Sequence, residues 1–188
     1  MSAFPRRTAE PSVEPLTLAE ALVQMKETSD SGGEIDTLAL RLIRTARRAC
    51  EERIERTLIA TPWRLTLDAF PDAIELRQPP ILAVQSVQFM DADGNLQTLD
   101  PLDYRLDKVS EPGYLVPARG KAWPAVLDEI NAVTIDYTAG YGEGADKVPE
   151  PLRHWIAVAV THLYQERAAD LPQGFGDGLL APFKMLGL

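Results

Sequence analysis

The sequence has few of the residues on which most metal and redox chemistry depends. Among its 188 residues are one cysteine, Cys50, and two histidines, His154 and His162. A single cysteine excludes an intrachain disulfide and a thiolate metal cluster within one subunit, which favours a reducing compartment. The histidines are eight positions apart on a predicted helix, whereas helical metal pairs use a spacing of four. The sequence therefore predicts no metal site.

Positive charge and long apolar runs are also scarce. The chain has 19 basic and 28 acidic residues, a net charge of −9, and a sequence pI of about 4.7. This balance disfavours a surface that wraps nucleic acid or anionic lipid. No stretch approaches the ~18 apolar residues of a membrane span, and residues 1–15 lack the apolar core of a signal peptide. We therefore expect that the protein has no membrane partner and that it is made and used in the cytoplasm or in something assembled there.

Proline, by contrast, is plentiful: the fifteen prolines predict short elements joined at defined corners. The predicted fold is α+β, a small helical bundle of three main helices with an antiparallel β insertion and a mobile C-terminal tail. Residues 1–15 are expected to be a flexible arm, and residues 16–60 and 148–170 the helical core. Residues 61–147 are expected to be the β-rich insertion, and residues 171–188 the tail.

Two helices are predicted before the insertion. Thr17 and Glu20 fit a capping box, which begins a helix that runs to about Thr28. The strongest helical period runs from Glu34 to about Leu58. Its predicted core face consists of Ile35, Leu38, Leu42, Ala46, Ala49 and Cys50. A stripe on the other side is basic at its start and acidic at its end, and it comprises Arg41, Arg44, Arg48, Glu51 and Glu55.

From residue 62 the apolar period changes to two, which indicates strands. Further strands are predicted at 73–77, 83–90, 96–99, 103–107, 113–116 and 131–138, with a hairpin turn at Asp93-Gly94. Between Asp91 and Glu150 there are twelve acidic and five basic residues, a balance of −7. After the insertion, Pro149 and Pro151 fit the first turn of a third helix that runs to about Ala169.

Two local motifs resemble ligand-binding loops but lack essential parts. Asp91–Asn95 opens like a calcium loop, yet Leu96 and Leu102 occupy the positions of the required glycine and glutamate, so a hairpin is predicted. Gly140–Ala145 matches a dinucleotide-binding pattern without the following helix or a βαβ unit, so a strand-to-helix corner is predicted. No nucleophile, acid–base or phosphate-binding constellation is present. The sequence therefore predicts no catalytic residues and no cofactor.

The end of the chain is apolar after a glycine-rich segment that permits movement. Its apolar side chains are candidates for docking, either into the core of the same subunit or into a partner such as a neighbouring subunit: Leu179, Leu180, Pro182, Phe183, Met185 and Leu186. Both alternatives remain open at this point.

The order of several segments resembles the head–tail connector (adaptor) proteins of tailed double-stranded DNA phages, prophages and gene transfer agents. The resemblance covers roughly residues 16–170 and is carried by the segments Leu16–Ala21, Ile35–Glu55, Trp63–Leu67, Leu99–Arg105, Val133–Gly142 and Val148–Arg153. The run Tyr-Thr-Ala-Gly-Tyr-Gly before a Val-Pro helix start is its most distinctive part.

The resemblance implies a non-enzymatic protein of a virion or phage-like particle. Such connectors form a ring of about twelve copies beneath the portal protein, extend the DNA channel, and present the surface on which a stopper or tail protein docks. DNA then passes through without sequence-specific binding. A ring subunit needs two unlike lateral surfaces, so the charged stripe of the second helix is a candidate subunit interface. The alternatives are a cytosolic protein- or ligand-binding module, or an enzyme with an unrecognised site.

Overall fold

The structure is a computed structural model that describes residues 4–167 and 170–185. It divides into two compact units, each built from separated parts of the chain. The β unit comprises Met1–Pro11 and Ala60–Tyr141, and the helical unit comprises Ser12–Ile59 and Gly142–Leu188. Helices and antiparallel strands are both present, so the predicted α+β class is confirmed.

The β unit contains two antiparallel sheets. Its strands are β1 (Arg6–Arg7), β2 (Thr61–Leu67), β3 (Ile74–Leu76), β4 (Ile81–Met90), β5 (Leu96–Thr98), β6 (Tyr104–Asp107), β7 (Gly113–Pro117) and β8 (Val133–Ala139). The larger sheet has the order β1-β2-β8-β4-β5, and the smaller has the order β3-β7-β6. The strands predicted from residue 62 onward are present, with ends that differ by one or two residues.

Strand β8 supplies the centre of the β core because alternate residues of a strand face the same side. Val133, Ile135, Tyr137 and Ala139 are buried, while the residues between them are half-buried. Ile135 lies opposite Leu65 on one neighbouring strand and Val87 on the other. The Tyr137 hydroxyl donates to the carbonyl of Arg77 at 3.0 Å, which satisfies the polar end of an otherwise buried ring.

The turn between β4 and β5 is the hairpin predicted at Asp93-Gly94. Gly94 has a φ of 81°, which glycine adopts at little cost. The Asp91 carboxylate accepts hydrogen bonds from the backbone N–H groups of Asn95 and Asp93, and the first of these contributes most to lowering its pKa. The acidic side chain that opens the calcium-like motif therefore serves the turn itself.

The predicted flexible arm is ordered in its described part, which corrects the prediction. Arg6 and Arg7 form β1 and pair with Arg64 and Trp63 of β2. The Arg7 guanidinium lies 5.0 Å from the centroid of the Trp63 ring, a distance typical of a cation–π contact. Main-chain pairing and this contact hold a segment that has no apolar periodicity and was therefore not predicted as a strand.

The helical unit contains α1 (Leu18–Met25), α2 (Glu34–Ile54), α3 (Glu150–Gln165) and the short α4 (Asp177–Leu180). The predicted capping box at Thr17 and Glu20 is present. The Thr17 backbone N–H is the largest cause that holds the pKa of Glu20 below its ordinary value. Both α1 and α2 end before their predicted limits because Lys26 and Glu55 adopt left-handed backbone conformations with φ values of 60° and 56°.

The buried face of α2 is rotated from the predicted one. Its fully buried apolar residues are Ala39, Ile43, Ala46, Cys50 and Ile54, whereas Ile35, Leu38 and Leu42 are only half-buried. The helix packs against both α1 and α3. The residues of α2 that enter the core are therefore those on the side of the helix between these two contacts. Cys50 lies in this core, and burial is the main cause that raises its thiol pKa to about 12.

Candidate assembly surfaces

Three arginines of α2 form an exposed basic stripe, which we call the arginine stripe: Arg41, Arg44 and Arg48. Their spacing of three and four residues places them along one side of the helix. The Arg44 side chain donates to the carbonyl of Leu40 at 3.2 Å, one turn earlier. Glu55, the last residue of the predicted stripe, is also exposed and caps the end of the helix.

Glu51 does not belong to that surface, and this corrects the predicted interface. It is buried, and its carboxylate accepts a hydrogen bond from Arg47 at 2.9 Å and from the backbone N–H of Leu58 at 3.0 Å. Arg47 is completely buried and also donates to Glu14 at 2.7 Å. A buried guanidinium is stable only when it is paired in this way. Glu51 therefore stabilises the core and is not available to a neighbouring subunit.

The described part of the C-terminal tail packs against its own helical unit. Leu180 is fully buried and Leu171 is 6% exposed. The Arg53 guanidinium donates to the carbonyls of Phe175 and Pro172, at 3.2 and 3.0 Å. These arginine contacts satisfy carbonyl groups of a segment that has little regular structure of its own.

Two further side chains fix the same segment. Arg56 donates to the carbonyl of Phe183 at 2.6 Å, and the Trp155 indole N–H donates to the carbonyl of Phe175 at 3.0 Å. The Phe175 ring also stands edge-on to Trp155 and lies 5.3 Å from the centroid of His162. The tail is thus attached through arginines and an aromatic cluster as well as through its leucines.

The six predicted docking residues of the tail have different environments. Leu180 is inside the helical unit, which excludes a partner surface, the second of its two predicted alternatives, for this residue. Leu179 is 38% exposed, Pro182 is exposed, and Phe183 and Met185 are half-buried. Leu186 lies outside the described residues. The side of the tail that faces away from its own core is therefore presented by Leu179 and Pro182.

Acidic charge is spread over both units. The β unit holds 13 acidic and 8 basic residues, a net charge of −5, and the helical unit holds 15 and 11, a net charge of −4. Part of the acidity of the β unit is neutralised locally: Asp136 binds Arg64 through two hydrogen bonds at 2.7 and 2.9 Å, and Asp103 pairs with Lys121 at 2.9 Å. Asp128 and Glu129 are exposed and form no ion pair with any described residue.

The remaining motifs have structural explanations. The segment from Gly140 to Ala145 is the predicted corner between β8 and a short helical turn, and the Gly140 N–H donates to the carbonyl of Pro80 at 2.9 Å. Across residues 4–167 and 170–185, no three His, Cys, Asp or Glu side chains are grouped in a way that could hold a metal ion. In the same residues, no helix combines the length and the apolar character needed to cross a membrane.

Sequence comparison gives no match, either to a known protein family or to a curated protein. Comparison with solved structures finds chains with this fold in gene transfer agent particles. A chain from the neck of an empty particle, computed with C6 symmetry, has a TM-score of 0.80 and 23% identity, over 98% of this chain and 97% of that chain. A chain from the virion of a native particle has a TM-score of 0.77 and 22% identity, over 98% and 96%.

A third chain, from the neck of a native gene transfer agent particle computed with C12 symmetry, has a TM-score of 0.71 and 23% identity, over 98% and 97%. The chain therefore has a fold found in the necks of these particles. A fold from phage-like particles, which the resemblance implies, is thus found at the level of the structure.

Proposed function

We propose that this chain is a structural, non-enzymatic head–tail connector (adaptor) subunit in the neck of a phage-like particle. The observation that carries the proposal is the fold, which matches gene transfer agent neck chains over 98% of this chain with TM-scores up to 0.80. The virion is thus its proposed location, with assembly in the bacterial cytoplasm.

The subunits are proposed to form a ring of about twelve copies beneath the portal protein. Two of the similar neck structures were computed with C6 and C12 symmetry, which supports a cyclic assembly. Cyclic contacts are heterologous and need two unlike, complementary surfaces on each subunit. The arginine stripe of the helical unit supplies a basic surface, and the exposed acids of the β unit supply an acidic one.

The ring would extend the DNA channel and present a docking surface for the stopper or tail protein. Net negative charge favours passage of DNA, since each phosphate neutralised by a basic side chain adds affinity through counterion release. Both units are acidic, so a lumen formed by either unit would retain DNA weakly.

The C-terminal tail is a proposed contact with the portal or with a neighbouring subunit, through the side that its own core leaves exposed. Leu179 and Pro182 lie on that side. Because Leu180 and the carbonyl contacts of Arg53 and Arg56 fix the segment, it would dock as a formed surface and would not need to order on binding.

Deletion of the gene in cells that produce the particle tests the proposal. We expect DNA-filled heads that lack tails, and restoration of tails when the wild-type chain is supplied in trans. Tailed, infectious or gene-transferring particles made without the chain would contradict a connector function. An enzyme or a small binding module would leave the head–tail junction intact.

A further inference from the structure

A groove in the helical unit is lined by apolar residues of α2 that lie outside the fully buried face of this helix. Ile35, Leu38 and Leu42 lie along one wall, and Leu163 and Tyr164 of α3 form the other. The groove has a volume of about 420 Å³, and Arg41 and Arg167 line it as well. The Tyr164 hydroxyl donates to Glu27, so the phenol is already engaged. We call this feature the α2–α3 groove.

The groove combines an apolar surface with positive charge. Leu163 is 3% exposed, while the three α2 residues are half-buried and so retain apolar area in contact with water. Arg41 is exposed, and its guanidinium forms no hydrogen bond or ion pair with any described residue. A complementary ligand would present an aliphatic side chain next to carboxylates.

One turn of the β unit has this combination. Ile130 is 74% exposed and directly follows Asp128 and Glu129. The turn is held in place at both ends: the Leu127 N–H donates to the carbonyl of Met90 at 3.0 Å, and the Asn131 N–H donates to the Asp68 carboxylate at 2.9 Å. The segment Asp128–Asn131, which we call the Ile130 turn, therefore presents an apolar side chain on a fixed backbone.

Two other turns of the β unit expose an apolar residue next to acids that are already bound. Val109 is 93% exposed, yet the Asp107 carboxylate accepts hydrogen bonds from Val109 and Ser110. Leu102 is 82% exposed, yet Asp103 is paired with Lys121 and Asp100 accepts from the Leu102 N–H. In the Ile130 turn, by contrast, the carboxylates of Asp128 and Glu129 form no ion pair with any described residue and are available to arginines.

We propose that the Ile130 turn of one copy of this chain inserts into the α2–α3 groove of the next copy. Ile130 would contact Leu38 and Leu42, and Asp128 and Glu129 would face Arg41 and Arg167. The two surfaces are unlike, so the contact is heterologous and repeats around a ring. The inference rests on the proposed function, since it names the contact that would link neighbouring subunits of the connector.

Disulfide trapping between copies tests the contact. The double variant Leu38→Cys/Ile130→Cys is oxidised with copper phenanthroline, both as purified protein and in particle-producing cells, and separated on a non-reducing gel. Native Cys50 is fully buried with a thiol pKa of about 12, so the introduced cysteines are the reactive ones. We expect a ladder of dimer, trimer and higher multimers. The matched control Leu38→Cys/Val109→Cys places the second thiol on a different exposed turn and should give no ladder.

A charge exchange supplies a second measurement that does not depend on oxidation. Arg41→Glu should weaken association of copies about ten-fold, which corresponds to about 1.4 kcal/mol, and adding Asp128→Arg with Glu129→Arg should restore it. The absence of a ladder in both samples, a ladder of equal strength in the control, or only an internally cross-linked monomer would overturn the inference.

The two proposals fail in different ways. Tailed particles in the deletion strain, together with a normal ladder, would refute the connector function and still support the contact between copies. Tailless particles in the deletion strain, together with no ladder, would refute the contact and still support the connector function.

Discussion

The buried pair formed by Arg47 and Glu51 provides the sharpest test of the corrected α2 face. Replacing Glu51 with alanine removes the carboxylate that binds the Arg47 guanidinium at 2.9 Å and the Leu58 N–H at 3.0 Å. Arg47 is 0% exposed and would keep its hydrogen bond to Glu14 but lose its buried partner one turn away, while the Leu58 amide would lose its acceptor. Neither group has access to bulk water as compensation.

The expected loss of unfolding free energy is large. Removing one partner of a buried ion pair costs about 3 to 5 kcal/mol, because the other charge stays buried. For a chain of this size each kcal/mol lowers the melting temperature by roughly 2 to 4 °C, so the variant should melt about 6 to 20 °C lower. An exposed stripe residue would lose no more than about 0.5 kcal/mol.

The measurement is urea unfolding of the wild type and the variants, monitored by the far-UV circular dichroism signal of the helices. Glu52→Ala is the matched control, since Glu52 is the adjacent acid on the same helix and is exposed. The structure predicts a large decrease for Glu51→Ala and almost none for Glu52→Ala. Equal, small effects of the two substitutions would refute the buried position of Glu51 and restore it to the surface stripe.

Three further predictions concern the tail, the arginine stripe and the thiol. Leu180→Ala should destabilise the isolated chain by about 2 to 5 kcal/mol in urea unfolding, whereas Leu179→Ala should have little effect, and equal effects would contradict the packed tail. Arg44→Glu combined with Arg48→Glu should impair ring formation in sedimentation velocity while the chain remains folded, and unchanged rings would exclude the stripe from the interface. Cys50 should react with maleimide at pH 8 only after unfolding, because its pKa of about 12 keeps the buried thiol protonated; rapid labelling of the folded chain would contradict this burial.

Much of the β unit was predictable from the sequence because its strands have one buried and one exposed side. An apolar residue at every second position identifies such strands directly, as in β8, where Val133, Ile135 and Tyr137 are buried. The hairpin at Asp93-Gly94 and the capping box at Thr17 were predictable for a similar reason. In both, the interacting groups are within a few residues of each other.

The errors in α2 have a physical cause. A period of 3.6 residues identifies a helical face but does not fix its centre when apolar residues occupy more than one stripe. Ile35 and Leu38 suit a core as well as Ala39 and Ile43 do, and the choice depends on contacts with α1 and α3. Because arginines are usually exposed, the residue type alone places Arg47 on the surface, and its burial was missed. Glu51, one turn later, is the acid that could have indicated a buried ion pair.

Long-range contacts explain what was missed at the two ends of the chain. Glu14 binds Arg47 from 33 residues away, and Arg53 and Arg56 reach carbonyls of the tail across more than a hundred residues. No local pattern in the sequence records these contacts. Glycine and proline near residues 172–178 suggested movement, whereas arginine and indole donors hold the described segment in place.

Electron microscopy of the chain mixed with its portal protein tests the central claim most directly. The connector account predicts an added ring of density on the portal, coaxial with the channel and with sixfold or twelvefold symmetry, into which the two units can be fitted. A chain that stays monomeric or forms a small closed oligomer beside an unchanged portal would contradict that account.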